Sequence, residues 1–171
     1  RTRGIPVLGA GVIYPVPEDE YLVEPFEIPK HWLRAYALDV GWNWTAALWG
    51  AYDRDVETWY LYHAYKVSQA QPSIHAAAVK APGAWIPGVI DPAANGRGQE
   101  DGRRLIETYQ GLGLSLVEAD NAVEAGLYEC WERLSTGRLK AFTSLDAWRK
   151  EIRLYRRDER GRVVKINDHL M

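Results

Sequence analysis

The stretch RAYALDVGWNWTAALWGAYDRDVETWYLYHAYK, Arg34–Lys66, decides the fold. It holds three runs, RAYALDV, WTAALWGAY and ETWYLYHAYK, separated by GWN and DRDV. The runs are rich in aromatic residues, and Gly, Asn and Asp punctuate them. That pattern predicts a three-stranded antiparallel meander with short turns. Asp39 closes the first strand. A strand built for burial needs a reason to finish in a carboxylate.

Working outward, PSIHAAAVKA reads as a helix opened by Pro72. WIPGVID is a short apolar strand that ends in Asp91. EDGRRLIETYQGLG reads as a helix closing on glycine, and LSLVEAD as a further strand. NAVEAGLYECWERLSTG is a helix with an Asn121 cap and a glycine stop. RLKAF is a strand, SLDAWRKEIRLY a helix, and RRDERGRVVKIN a hairpin turning at Glu159–Gly161. DHLM opens a helix. The order βββ-α-β-α-β-α-β-α with a late hairpin predicts an α/β mixed sheet with helices on both faces. Three antiparallel strands followed by βα units is the order of the ribonuclease H-like fold. Upstream, prolines at 6, 15, 17, 25 and 29 break any long element. Residues 1–30 read as an irregular leader or linker, and residues 31–171 as one domain.

Composition sets the limits. The 171 residues are 47% apolar and 26% charged, which suits one globular domain with a real core. Net charge is −2, so no global basic field draws in nucleic acid. A polyanion partner must be held by a local patch or by bound metal. The lone Cys130 cannot form an internal disulfide, which predicts a reducing compartment. No apolar run approaches the roughly 18 residues of a membrane span, so no membrane partner is expected. No signal peptide is seen. The chain reads as a piece of a longer protein.

In α/β sheets, ligand sites lie at strand ends where loops open the sheet. Asp39 and Asp91 each close an apolar run at such a place, and Asp168 precedes the last predicted helix. A lone aspartate there also serves as a turn or capping residue. If the strands carrying Asp39 and Asp91 are neighbours, the two carboxylates repel unless a cation lies between them. Hard divalent cations suit all-oxygen donors. Two Mg²⁺ or Mn²⁺ ions can clamp a phosphodiester, activating water on one side and steadying the leaving oxygen on the other. Gly41, in the DVGW context, lets backbone and substrate come close. PAANGRGQEDG after Asp91 reads as a glycine-rich loop above the site. Arg156, Arg157, Arg160 and Arg162 crowd the late hairpin and form a candidate phosphate-contacting patch. Asp158 and Glu159 make a solvated turn of mixed charge the competing reading. Trp42 and Trp44 flank Asp39 and are read mainly as packing residues. The other histidines, His31, His63 and His75, show no metal-ligand spacing.

The segments RTRGIPVLGAGVIYPVPED, YALDVGWNW, VIDPAANGRGQEDG and LYRRDERGRVVKINDHLM, in this order, resemble the nuclease domain of the large terminase subunit of tailed bacteriophages. The resemblance spans nearly the whole chain. It implies a ribonuclease H-like fold and cleavage of concatemeric double-stranded viral DNA with two divalent cations, Mg²⁺ or Mn²⁺. It implies an upstream ATPase domain in the same chain, a portal protein and a small terminase subunit as partners, and the host cytoplasm as the place of action. The first two acidic positions match Asp39 and Asp91. The family pattern Asp-His-x-x-Asp meets Asp168 and His169. The third ligand is therefore Asp168, or an aspartate just beyond Met171. Two other functions stand beside this one. One is a resolvase- or transposase-type nuclease on the same fold. The other is a non-catalytic module that docks on the portal.

Overall fold

The computed structural model describes residues 11–41, 43–91, 105–120, 122–166 and 168–171. The predicted meander is β3 (Leu33–Val40), β4 (Thr45–Asp53) and β5 (Thr58–Val67), paired antiparallel in that order. β6 (Gly88–Ile90) runs parallel to β3, and β7 (Leu116–Glu118) parallel to β6. On the other side, β8 (Leu139–Phe142) runs parallel to β5. The segment read as an irregular leader contributes more than expected. It contains β1 (Gly11–Val12), α1 (Glu18–Tyr21) and β2 (Leu22–Val23), and β2 pairs parallel with β8 as the sheet's last strand. The seven-stranded order is β2-β8-β5-β4-β3-β6-β7.

Alternation along β4 sends side chains to two separate cores. Ala47 and the fully buried Trp49 join Tyr36 and Leu38 of β3 on one face. There they meet Ala76 and Val79 of α2 (Pro72–Lys80) and Ile106 and Tyr109 of α3 (Leu105–Gly111). Ala46 joins Ala141 of β8 on the opposite face. α4 (Val123–Ser135) supplies Leu134 to that face, and α5 (Asp146–Leu154) supplies Trp148 and Ile152. Helices thus cover both faces, as the element order requires. α3 and α4 end as the glycines predict. Gly113 and Gly137 take φ of +91° and +74°, and in both cases the next residue's N–H reaches back to the helix's last turn.

The late hairpin is shorter than the sequence predicts. Its first arm is only β9 (Arg156–Arg157), which pairs with β1, and its second arm keeps one bridge, Arg157 to Val163. Asp158 organises the turn itself: its Oδ1 accepts the backbone N–H groups of Arg160 and Arg162, while its own N–H donates to the Arg162 carbonyl at 2.8 Å. DHLM forms a single turn, with the Met171 N–H donating to the Asp168 carbonyl at 3.2 Å. Cys130 is half-buried, not part of the core. Residues 1–10, Trp42, the glycine-rich segment after Asp91 with Arg97, Arg103 and Arg104, the Asn121 cap and Asn167 lie outside the described residues. Among the described residues, no helix is long and apolar enough to cross a membrane.

Candidate active site

β3 and β6 are the neighbours on which the adjacency of Asp39 and Asp91 depends. Their register pairs Tyr36 with Gly88, Ala37 with Val89 and Leu38 with Ile90. The next residue on each strand is the aspartate, and the Asp91 N–H still donates to the Leu38 carbonyl at 3.4 Å. Both aspartates therefore leave the carboxyl ends of parallel neighbours, the usual ligand position in such sheets. β4 fixes Asp39 from the other side, opposite the fully buried Ala46.

One cleft of about 600 Å³ gathers Asp39, Asp91, Asp168 and His169. The last two arrive from the C-terminal turn, His169 standing 130 residues from Asp39 in sequence. His169 Nδ1 lies 2.9 Å from Asp39 Oδ2. Tyr155, at the end of α5, lines the same cleft. Burial, reinforced by the Asp168 carboxylate, pushes its hydroxyl up to about 12. Among the described residues, no three His, Cys, Asp or Glu side chains converge on a point that could hold a metal ion. The Asp39–His169 contact is the hydrogen bond that ties the C-terminal turn to β3.

The cleft also holds two residues that the sequence reading passed over. Asp120 follows β7 and lines the cleft, with its Oδ1 accepting the Ala122 N–H at 3.1 Å. Its signal was present: LVEAD repeats the strand-then-aspartate pattern of YALD and GVID. Lys165 lines the cleft as well. It comes from the second arm of the late hairpin, so that hairpin does border the acidic cluster.

The four hairpin arginines divide into two pairs. Arg157 forms a two-pronged ion pair with Glu124 of α4, with contacts at 2.6 and 3.0 Å, and only 12% of its side chain is exposed. Arg162 pairs with Asp158 at 3.2 Å. Arg156 and Arg160 are exposed and make no side-chain ion pair among the described residues. Trp44 is part-exposed, and Lys66 Nζ lies 4.9 Å from the centre of its ring.

No protein-family model matches the chain. The large terminase subunits of Salmonella phage P22 and Enterobacteria phage LP7 are each 34% identical to it over 187 aligned positions. Those alignments take in 100% of this chain but only 36% and 38% of the relatives, so the chain spans little more than a third of their length. The P22 large terminase nuclease domain superposes with a TM-score of 0.83 at 31% identity, covering 96% of this chain and 89% of that one. The large terminase nuclease of thermophilic phage G20c with bound magnesium shares the fold, with a TM-score of 0.66 at 16% identity, covering 96% of this chain and 94% of that one. With its strand order, its cleft and a relative alike over almost its entire length, the chain belongs to the nuclease-domain family of phage large terminase subunits.

Proposed function

We propose that this chain is a divalent-metal-dependent endodeoxyribonuclease, cutting concatemeric double-stranded DNA during phage assembly in the host cytoplasm. The observation that carries this reading is the side-by-side exit of Asp39 and Asp91 from parallel β3 and β6 into a cleft shared with Asp168 and His169. Oxygen donors with one imidazole fit a hard cation such as Mg²⁺ or Mn²⁺. Asp39, Asp91 and Asp168 line one cleft without converging on a point, so they would have to draw together around it, with His169 as a further ligand or as the group that orients Asp39. A pair of such ions supplies water activation and charge stabilisation at the leaving oxygen. The sheet's contribution is to fix the first two carboxylates rigidly before DNA arrives.

Structures of G20c and SPP1 large terminase nucleases were obtained with magnesium, cobalt and manganese, which supports the divalent assignment. The large terminase of another thermophilic bacteriophage, where the likeness covers 44% of that longer chain, was solved in complex with ADP. An upstream ATPase domain, a portal protein and a small terminase subunit are the partners this reading brings.

The direct test is nicking and linearisation of supercoiled plasmid by the purified chain. Cleavage should appear with Mn²⁺ or Mg²⁺, vanish in EDTA, and show little dependence on plasmid sequence. Intact plasmid under every metal condition would instead favour the portal-docking role.

DNA binding gives a second expectation. Lys165 borders the acidic cleft, and Arg156 and Arg160 have no carboxylate to give up among the described residues. These three would contact backbone phosphate, whereas Arg157 and Arg162 would first have to exchange Glu124 and Asp158. Replacing Arg156 and Arg160 together by Ala should weaken binding similarly for all sequences. It should flatten the dependence of log affinity on log salt by up to about two units, one per lost contact. Arg157→Ala should leave that slope unchanged. A slope unmoved by the double substitution, read by fluorescence anisotropy, counts against this interface.

A further inference from the structure

Glu151 is a carboxylate inside the core face of α5, 4% exposed, and the reaction as described gives it nothing to do. Both of its oxygens are used. Oε1 accepts Lys66 Nζ at 2.6 Å, and Oε2 accepts the backbone N–H of Leu170 at 2.7 Å. Leu170 sits in the Asp168–Met171 turn, the segment that brings Asp168 and His169 to the cleft.

The sheet register shows what this achieves. Asp39 pairs with Ala46, and Ala46 pairs with Lys66, so the three form one row across β3, β4 and β5. Residues paired this way present their side chains on one face. The turn spans that row. His169 reaches Asp39 at one end, Leu170 reaches Glu151 beside Lys66 at the other, and fully buried Ala46 lies between. Lys66 also stacks on the Trp44 ring, and the Trp44 carbonyl accepts the Gly41 N–H at 2.9 Å, closing the turn after Asp39. One part-buried ion pair thus touches both segments that flank the Asp39–His169 contact.

We infer that Glu151 is a positioning residue for the candidate metal site: by accepting the Leu170 N–H it seats the 168–171 turn so that Asp168 and His169 face Asp39. The inference rests on the reading that these residues bind a divalent cation. Groups that orient metal ligands typically change metal affinity about 10–100-fold when removed.

A double substitution separates seating from stability. Lys66→Met with Glu151→Leu replaces the ion pair by apolar groups of similar size, a change that is often neutral for stability. It also deletes the acceptor for Leu170. The chain should still fold, with a melting temperature lowered only modestly by the orphaned Leu170 N–H. That amide should exchange faster with solvent, and affinity for Mn²⁺ alone, by titration calorimetry, should fall about 10–100-fold. A folded variant with Mn²⁺ affinity within about threefold of the unsubstituted chain overturns the inference. Should that variant not fold, Lys66→Met with Glu151→Gln serves, because with the lysine gone the single amide oxygen is left to accept the Leu170 N–H. Its Mn²⁺ affinity should stay within about threefold, and a loss of about tenfold or more overturns the proposal. Asp39→Asn, measured in parallel, tests the underlying reading. Unchanged Mn²⁺ binding there removes the metal site and this inference with it. Lost binding there, beside unchanged binding in the variant with Lys66→Met and Glu151→Leu, removes only the role of Glu151.

Discussion

Asp39→Asn should abolish metal-dependent nicking while leaving the fold in place. Asn fills the same space, and its amide oxygen can still meet His169, so the contact at 2.9 Å need not break. What it removes is the negative charge that a divalent ion requires. Loss of a single group that stabilises developing charge costs about 10²–10³-fold in rate, and a first metal ligand should cost at least that. Stability should barely move. The Asp39 side chain is 40% exposed, and substitutions at such positions usually stay within about 0.5 kcal/mol. That corresponds to about 1–2 °C in melting temperature for a chain of this length. Plasmid nicking in Mn²⁺ beside a thermal melt reads both quantities. Equal nicking by the variant would show that cleavage does not run through Asp39.

The same aspartate shows what a sequence can and cannot display. Its strand is legible because three long runs with turn residues between them admit little but a meander. Its adjacency to Asp91 is legible only as a condition, since strand order depends on packing between segments far apart in the chain. β2 escapes because two residues in a proline-rich segment carry no periodicity; its place is set by hydrogen bonds to β8, more than 100 residues downstream. Arg157 reads as free within RRDERGR because its true partner, Glu124, stands 33 residues upstream on another element. Glu151, within WRKEIR, looks like one more charge on a solvated helix face. Only the fold reveals that Trp148, Glu151 and Ile152 form the buried stripe of α5. Side chains whose partners are local were readable, as at Asp158. Those whose partners are distant were not.

Gly88→Ala should be among the most damaging single-methyl additions to this domain, and it should act on the site from a distance. Gly88 opens β6 directly opposite Tyr36 of β3, and their shared face leaves the tyrosine ring lying over the glycine. A Cβ placed on Gly88 would stand 2.3 Å from Tyr36 Cε2 and 2.4 Å from Cζ, far inside contact distance. The ring has little room to yield. Tyr36 is 4% exposed, and its other neighbour is the fully buried Trp49 ring, with centroids 5.6 Å apart. The backbone of β6 must move instead, against the Gly88 N–H bond to the Ser115 carbonyl at 2.8 Å. Overpacking of this kind costs about 1–3 kcal/mol, or about 2–12 °C in melting temperature for a domain of this size. Asp91 lies three residues further along, just past the end of the same short strand, so displacement of β6 should also weaken Mn²⁺ binding. Gly111→Ala is the matched control, because a Cβ there meets no atom within 4 Å. Its melting temperature should stay level or rise slightly through the smaller entropy of the unfolded chain. If the two variants melt together, the Tyr36–Gly88 contact does not hold β6 in place.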